Sequence, residues 1–345
     1  MLTYCRPEGS GAERAFVDRY IAPLPGAERD PYGNWHVRIG SSAVLWSSHT
    51  DTVHWDSGRQ TVAFDEQTGI VKLSRKSRKR SRCLGADCTA GVWIMRQMIL
   101  RGINGHYVFH YGEERGGKGS GDLAAYRADW LKGFDYAIAF DREADCSIIT
   151  EQAGGRCASD LFALSLSEEL ERVSDIRLKA DDWGVFTDTA NYSEIIPECS
   201  NLSIGFRDEH TRRESLDCYY ALRLLDAMCA IDIGALIVDR NPADDASWRN
   251  RWGYDRASTS ADYGRSIDAE RDCPFHTIGM DCECSTDDHG PCYASDLSHV
   301  RPATVVSIDR ARVHEAEVTE LDSTYLDPQF AEIQRALHAQ KGRLF

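Results

Sequence analysis

Residues 43–53 read Ala-Val-Leu-Trp-Ser-Ser-His-Thr-Asp-Thr-Val. An apolar run of strand length passes into His49 and Asp51, groups that hold protons or cations. Three other stretches follow the same plan. His106–Gly112 (HYVFHYG) runs into Glu113 and Glu114, Asp135–Phe140 (DYAIAF) into Asp141, and Asn201–Glu209 (NLSIGFRDE) into His210. Short apolar runs bounded by polar turns read as buried strands. NWHVRIG (34–40), QTVAFD (60–65) and GIVKLS (69–74) alternate as further strands, and helical patterns cover roughly 11–21, 84–102, 124–131, 158–173 and 216–231. Strands alternating with helices predict an α/β fold: a three-layer, mixed but mainly parallel sheet with helices on both faces.

In such sheets ligands bind at the carboxyl ends of the strands. That edge would gather His49, Glu113, Glu114, Asp141 and His210, with Asp87 arriving just before a helix. Zinc accepts imidazole nitrogen and carboxylate oxygen. Two ions about 3.5–4 Å apart need a carboxylate to bridge them, and together they activate water and polarise a carbonyl. A carboxylate that is not a ligand can then act as general base. Adjacent Glu113 and Glu114 can split those roles. Asp51, two residues after His49, is placed to hold the other ring nitrogen.

Five segments, SHTDTV (48–53), LGADCTAGV (84–92), GEERGGKGS (112–120), FDRE (140–143) and NLSIGFRDEHTRRESLD (201–217), together resemble the co-catalytic zinc exopeptidases. That superfamily includes the bacterial leucyl aminopeptidases, peptidase T and glutamate carboxypeptidase. The resemblance spans about residues 40–235. It implies two Zn(2+) ions, with cobalt or manganese as substitutes. One would be held by His49, Asp87 and Asp141, the other by Asp87, Glu114 and His210. Asp87 would bridge, Glu113 would be the base and Asp51 the orienter of His49. Thr187-Asp188 in FTDTANY resembles a segment ahead of the family's last strand, with Asp188 as a supporting group. About 68 residues separate Asp141 from His210, too few for an inserted dimerisation domain. This favours the single-catalytic-domain aminopeptidase type. Cys88 stands where many relatives carry Asp or Asn, a change of polarity beside the site.

The expected activity is therefore metal-dependent removal of N-terminal residues from short peptides or aminoacyl substrates. A carboxypeptidase or N-acyl amino acid amidohydrolase could use the same site, and a non-catalytic binding module is the third reading. Tyr192 is a weak candidate for the oxyanion donor such chemistry needs.

Composition agrees with an enzyme. The 345 residues are 42% hydrophobic and 28% charged, and the net charge of −15 disfavours nucleic acid. With no apolar run of about 18 residues, no membrane span is expected, and the start lacks a basic-then-apolar leader. A cytoplasmic location with mostly reduced cysteines follows; a homo-oligomer is left open. The basic run Arg75–Arg82 (RKSRKRSR) reads as a solvated hairpin tip. Residues 1–240 are assigned to the catalytic domain and 241–345 to an irregular, Cys-rich extension, with a short strand near 303–308 and a final helix near 328–339. Within it Cys273, Cys282, Cys284 and Cys292 are candidates for a structural zinc, although the spacing C-x8-C-x-C-x7-C matches no paired-CxxC ribbon.

Overall fold

The computed structural model describes residues 1–245. The expected extension, its four-cysteine cluster and its final helix lie outside the described residues.

After a short strand at Tyr4–Cys5, which pairs with Gly58–Arg59, comes helix α1 (Gly11–Tyr20). Ser10 caps it by accepting from the Glu13 amide, while the Glu13 carboxylate accepts from the Gly9 amide, a reciprocal capping box. An eight-stranded sheet forms the centre of the fold. Its strands are β1 (Glu28–Arg29), β2 (Trp35–Ile39), β3 (Val44–His49), β6 (Gly105–His110), β7 (Tyr136–Arg142), β8 (Ser147–Ile149), β9 (Lys179–Asp181) and β10 (Glu198–Ser203). They lie in the order β9-β8-β10-β7-β3-β6-β2-β1. The central strands β10, β7, β3 and β6 are mutually parallel. The outer strands β2 and β1 run antiparallel to their neighbours.

Every residue of β3 and β10 is buried, so both faces of the sheet are covered there. Helix α2 (Ala86–Leu100) packs on β3 and β7, with α4 (Asp160–Val173) and α5 (Cys218–Met228) alongside. A 3-10 turn at Asp188–Tyr192, backed by α3 (Lys118–Tyr126), also packs on the central strands. The aromatic rings of Trp46 and Phe140 stack within the core, 5.8 Å between centroids.

Helix α2 is apolar nearly all round, as a helix buried on most sides must be. It sits unusually close to the sheet. A Cβ on Gly91 would stand 2.2 Å from the Phe140 carbonyl oxygen and 2.6 Å from Ser48 Oγ.

Three details differ from the sequence reading. First, residues 201–210 are not one strand. The register slips between Leu202 and Ser203, Gly205 takes a left-handed φ of 91°, and the chain leaves the main sheet. It joins a separate antiparallel sheet made of β11 (Phe206–Arg207), β12 (Ser215–Asp217), β5 (Ile70–Leu73) and β4 (Val62–Asp65). His210 therefore lies in the loop between β11 and β12. Second, Asp87 is inside the first turn of α2 rather than ahead of it. Third, the basic run is no hairpin tip. It follows β5 on the way to α2, and its serines are tied down. Thr61 donates its amide to Ser77 Oγ (2.8 Å), and Ser81 Oγ donates to Gln60 (2.6 Å).

The segment between Asp141 and His210 supplies β8, β9 and β10 of the main sheet and helix α4. It is part of the sheet layer.

Candidate metal centre

The parallel strands β7, β3 and β6 deliver their carboxyl ends side by side. His49 is the last residue of β3. Asp141 lies one residue before the end of β7. Beyond β6 the chain turns through Gly112 (φ 68°) into a 3-10 turn that carries Glu113 and Glu114. Asp87 enters from the N-terminus of α2 and His210 from the β11–β12 loop, where its own φ is +60°. The sheet edge thus converges with a helix start and a loop.

The distances are short. His210 Nε2 lies 3.1 Å from Asp87 Oδ2, to which it hydrogen bonds, and 3.1 Å from Glu114 Oε1. The second contact is close but off the hydrogen-bonding line, so that Glu114 oxygen has no bonded partner. His49 Nε2 is 3.5 Å from Asp141 Oδ1 and 4.0 Å from Glu113 Oε2. Among the described residues, three trios place their ligand atoms within 4.8 Å of one another: Asp87–Glu114–His210, His49–Glu113–Glu114 and His49–Asp87–Cys88. The first is one of the two expected ligand sets. The other expected set, His49–Asp87–Asp141, is not among these trios, although Asp141 meets His49.

Supporting contacts fix the cluster. Asp51 lies 3.4 Å from His49 Nδ1, at an angle that leaves the ring nitrogen without a hydrogen bond. Its two oxygens also accept the backbone amides of Glu113 (3.1 Å) and Glu114 (3.2 Å). Asp51 therefore clamps the acidic turn as well as facing His49, which its spacing from His49 alone does not reveal. Thr187 Oγ1 donates to Asp141 Oδ2 at 2.7 Å. Asp188 instead accepts from Ser120 Oγ (2.6 Å), its other oxygen buried and unpartnered. Asn201 brackets the Asp141 backbone by accepting its N–H and donating to its C=O, both at 2.9 Å.

Glu214 went unread in the sequence. Its carboxylate accepts the amides of Leu84, Gly85 and Ala86 at 2.8, 3.0 and 2.5 Å, fixing the approach to Asp87. The signal available was its place four residues after His210 in HTRRE. Tyr192 is a correction: its hydroxyl faces His110 Nε2 at 3.5 Å in the core and is not directed at the cluster.

Electrostatics show what the cluster lacks. Burial drives the Glu113 carboxyl well above its ordinary range, and the like charges of Asp141 and Glu114 add to it against the pull of His49. Burial likewise lifts Glu114, with Asp87 adding to the rise. Burial also opposes charge on His210, yet its contacts to Asp87 and Glu114 hold it far above a free imidazole. Glu214 is carried up to about 8 by burial and by Asp87, despite its three amides. So many carboxylates around two imidazoles leave negative charge uncompensated. A divalent cation would supply that compensation, and imidazole with carboxylate is a donor set zinc accepts. The unbonded Glu114 oxygen, converging with Asp87 and His210, gives the fit its geometric side.

Sheet order and the converging side chains define an α/β fold with a cation-competent strand-end cluster. No family model matches the sequence, and no curated protein matches it. Solved structures match in fold. An aminopeptidase, PepT, from Bacillus cereus is 12% identical with a TM-score of 0.53, over 66% of this chain and 94% of that one. A tripeptidase from Staphylococcus aureus is 13% identical with a TM-score of 0.52, over 66% and 94%. The chain has the fold of these peptidases, as the sequence resemblance implied. Among the described residues no helix is long and apolar enough to cross a membrane.

Proposed function

We propose that the chain is a metal-dependent aminopeptidase that removes N-terminal residues from short peptides. One observation carries the reading. Glu113 stands largely buried 4.0 Å from His49, beside a trio, Asp87–Glu114–His210, whose carboxylate oxygens and ring nitrogen converge. Asp87, Glu114 and His210 would hold one ion; His49 and Asp141, sharing Asp87, would hold the other. Such ions, when bound, polarise a carbonyl and lower the pKa of water.

The chain's own groups do the rest. Glu113 accepts the proton of the attacking water and returns it to the leaving amine. Asp51 keeps Glu113 and Glu114 in register by holding both of their amides. Thr187 aims Asp141, and Glu214 fixes the loop ahead of Asp87. The fold likeness to an aminopeptidase and a tripeptidase agrees with a peptide substrate.

Glu113→Gln tests this. The variant is expected to keep its metal content and to lose at least about a hundredfold in kcat, the scale of a general base. Retained turnover in a clean preparation would refute the base. A panel of free and N-blocked aminoacyl substrates tests the specificity, because an aminopeptidase requires the free amine; cleavage of only the blocked members would point to an acyl-amino-acid hydrolase instead.

A further inference from the structure

We propose that Cys88 is a sulfur donor to the cation on the His49 side of the cluster. The inference rests on the reading that the cluster holds metal.

Two observations carry it. The Sγ of Cys88, a ring nitrogen of His49 and a carboxylate oxygen of Asp87 lie within 4.8 Å of one another, and all three side chains are buried. The second observation is Arg6. Its guanidinium is fully buried, lies 3.7 Å over the Phe16 ring, and donates through Nη2 to Cys88 Sγ (2.8 Å) and Thr89 Oγ1 (2.7 Å). Its Nε and Nη1 have no partner. A buried cation is costly without an anion beside it, and its two hydrogen-bond acceptors here are a hydroxyl and the Cys88 sulfur.

A structural cysteine in a core behaves as a small apolar group. Cys88 instead has a guanidinium on one side and an imidazole and a carboxylate on the other. A thiol that coordinates a divalent ion gives up its proton to solvent as the sulfur–metal bond forms. Cys88 would then present an anion to Arg6, and Arg6 is the positioning residue for it. The expected set of His49, Asp87 and Asp141 thereby gains a fourth, softer donor. Sulfur favours zinc or cobalt over manganese and magnesium at that position.

The test uses the full chain with Cys273, Cys282, Cys284 and Cys292 replaced by Ser, so that those thiols contribute nothing. Loaded with two equivalents of Co(II), enough to fill both proposed sites, this protein is expected to show a near-ultraviolet sulfur-to-cobalt charge-transfer band. Adding Cys88→Ser should abolish the band while the visible cobalt bands remain. Zinc-edge X-ray absorption needs no change at position 88, so it stands even if that variant fails to fold; it should find a sulfur neighbour at about 2.3 Å. Metal bound with only nitrogen and oxygen neighbours, or a band that survives Cys88→Ser, overturns the assignment and leaves the proposed function intact. A chain that binds no metal at all overturns both.

Discussion

At the scale of single residues, the cluster depends on side chains that use both ends of their chemistry. Asp51 is the clearest. One oxygen serves the Glu113 amide and faces His49, and the other serves the Glu114 amide. An asparagine has the same shape, but its NH2 cannot accept an N–H. Asp51→Asn must therefore drop one amide of the acidic turn or turn a donor toward His49. Losing a group that orients metal ligands typically costs 10–100-fold in metal affinity. We expect a loss of about that size for Asp51→Asn, measured by competition with a chelating dye; unchanged affinity would show that the turn holds its shape without the clamp. His49, Glu113, Glu114, Asp141 and His210 could be picked out as candidates in sequence because each follows an apolar run, and Asp87 because it opens a helical pattern. The roles of Thr187, Asn201 and Glu214 could not. Their partners are a side chain 46 residues away and backbone groups 60 and 128 to 130 residues away. No local pattern encodes such partners.

At the scale of elements, the position of Asp87 is set by how deeply α2 sits on the sheet. Gly91 permits that depth, because the space a Cβ would need is taken by the Phe140 carbonyl and Ser48 Oγ. Backbone and a buried side chain cannot yield as a surface side chain can. Gly91→Ala improves helix propensity by up to ~1 kcal/mol, yet it must push the helix off β3 and β7. Overpacking a close-packed interior costs about 1–3 kcal/mol, so the net change should be destabilising. A lower urea midpoint, with reduced activity in the folded fraction, is the expected result; a midpoint at or above that of the natural chain would show that the helix can lift freely. The sequence revealed α2 and the parallel strands, since apolar runs of strand length and helical length differ visibly. It did not reveal the second sheet. Alternation in 62–73 and 215–217 shows that alternate residues are buried, but not which distant strand they pair with. Val71 faces Leu216 across 145 positions of chain. Nor did it show the exit at Gly205, because NLSIGF keeps a strand-like composition through the break.

At the scale of the whole molecule, acid stability has a source toward the start of β6, away from the strand end that leads into the cluster. His106 on β6 bonds through Nε2 to His36 Nδ1 (3.0 Å), and the other nitrogen of His36 meets Asp30 Oδ2 (3.0 Å). The Trp130 and Phe134 rings pack against it edge-on. Burial, then the neighbouring His36 and Arg38, press the His106 imidazole down to about 4. In the unfolded chain a histidine titrates near 6.5. Between those two values the unfolded chain takes up a proton that the fold refuses, so stability rises with pH across that window and falls as the solution is acidified through it. The carboxylates of Glu8 and Asp30, held low by their hydrogen bonds, act mainly below it. His54 and His110, pushed down by burial, and Glu214, carried up to about 8, change charge in or near the same window, so it is the difference between the natural chain and a His106 variant that reads this imidazole. His106→Gln carries no titrating group, and its stability should vary less between the two. Measured as urea midpoints, the drop from pH 7 to pH 5 is expected to be smaller in His106→Gln than in the natural chain. Equal drops would mean that His106 accepts its proton inside the fold as readily as outside it, against the burial and the neighbouring charges described here.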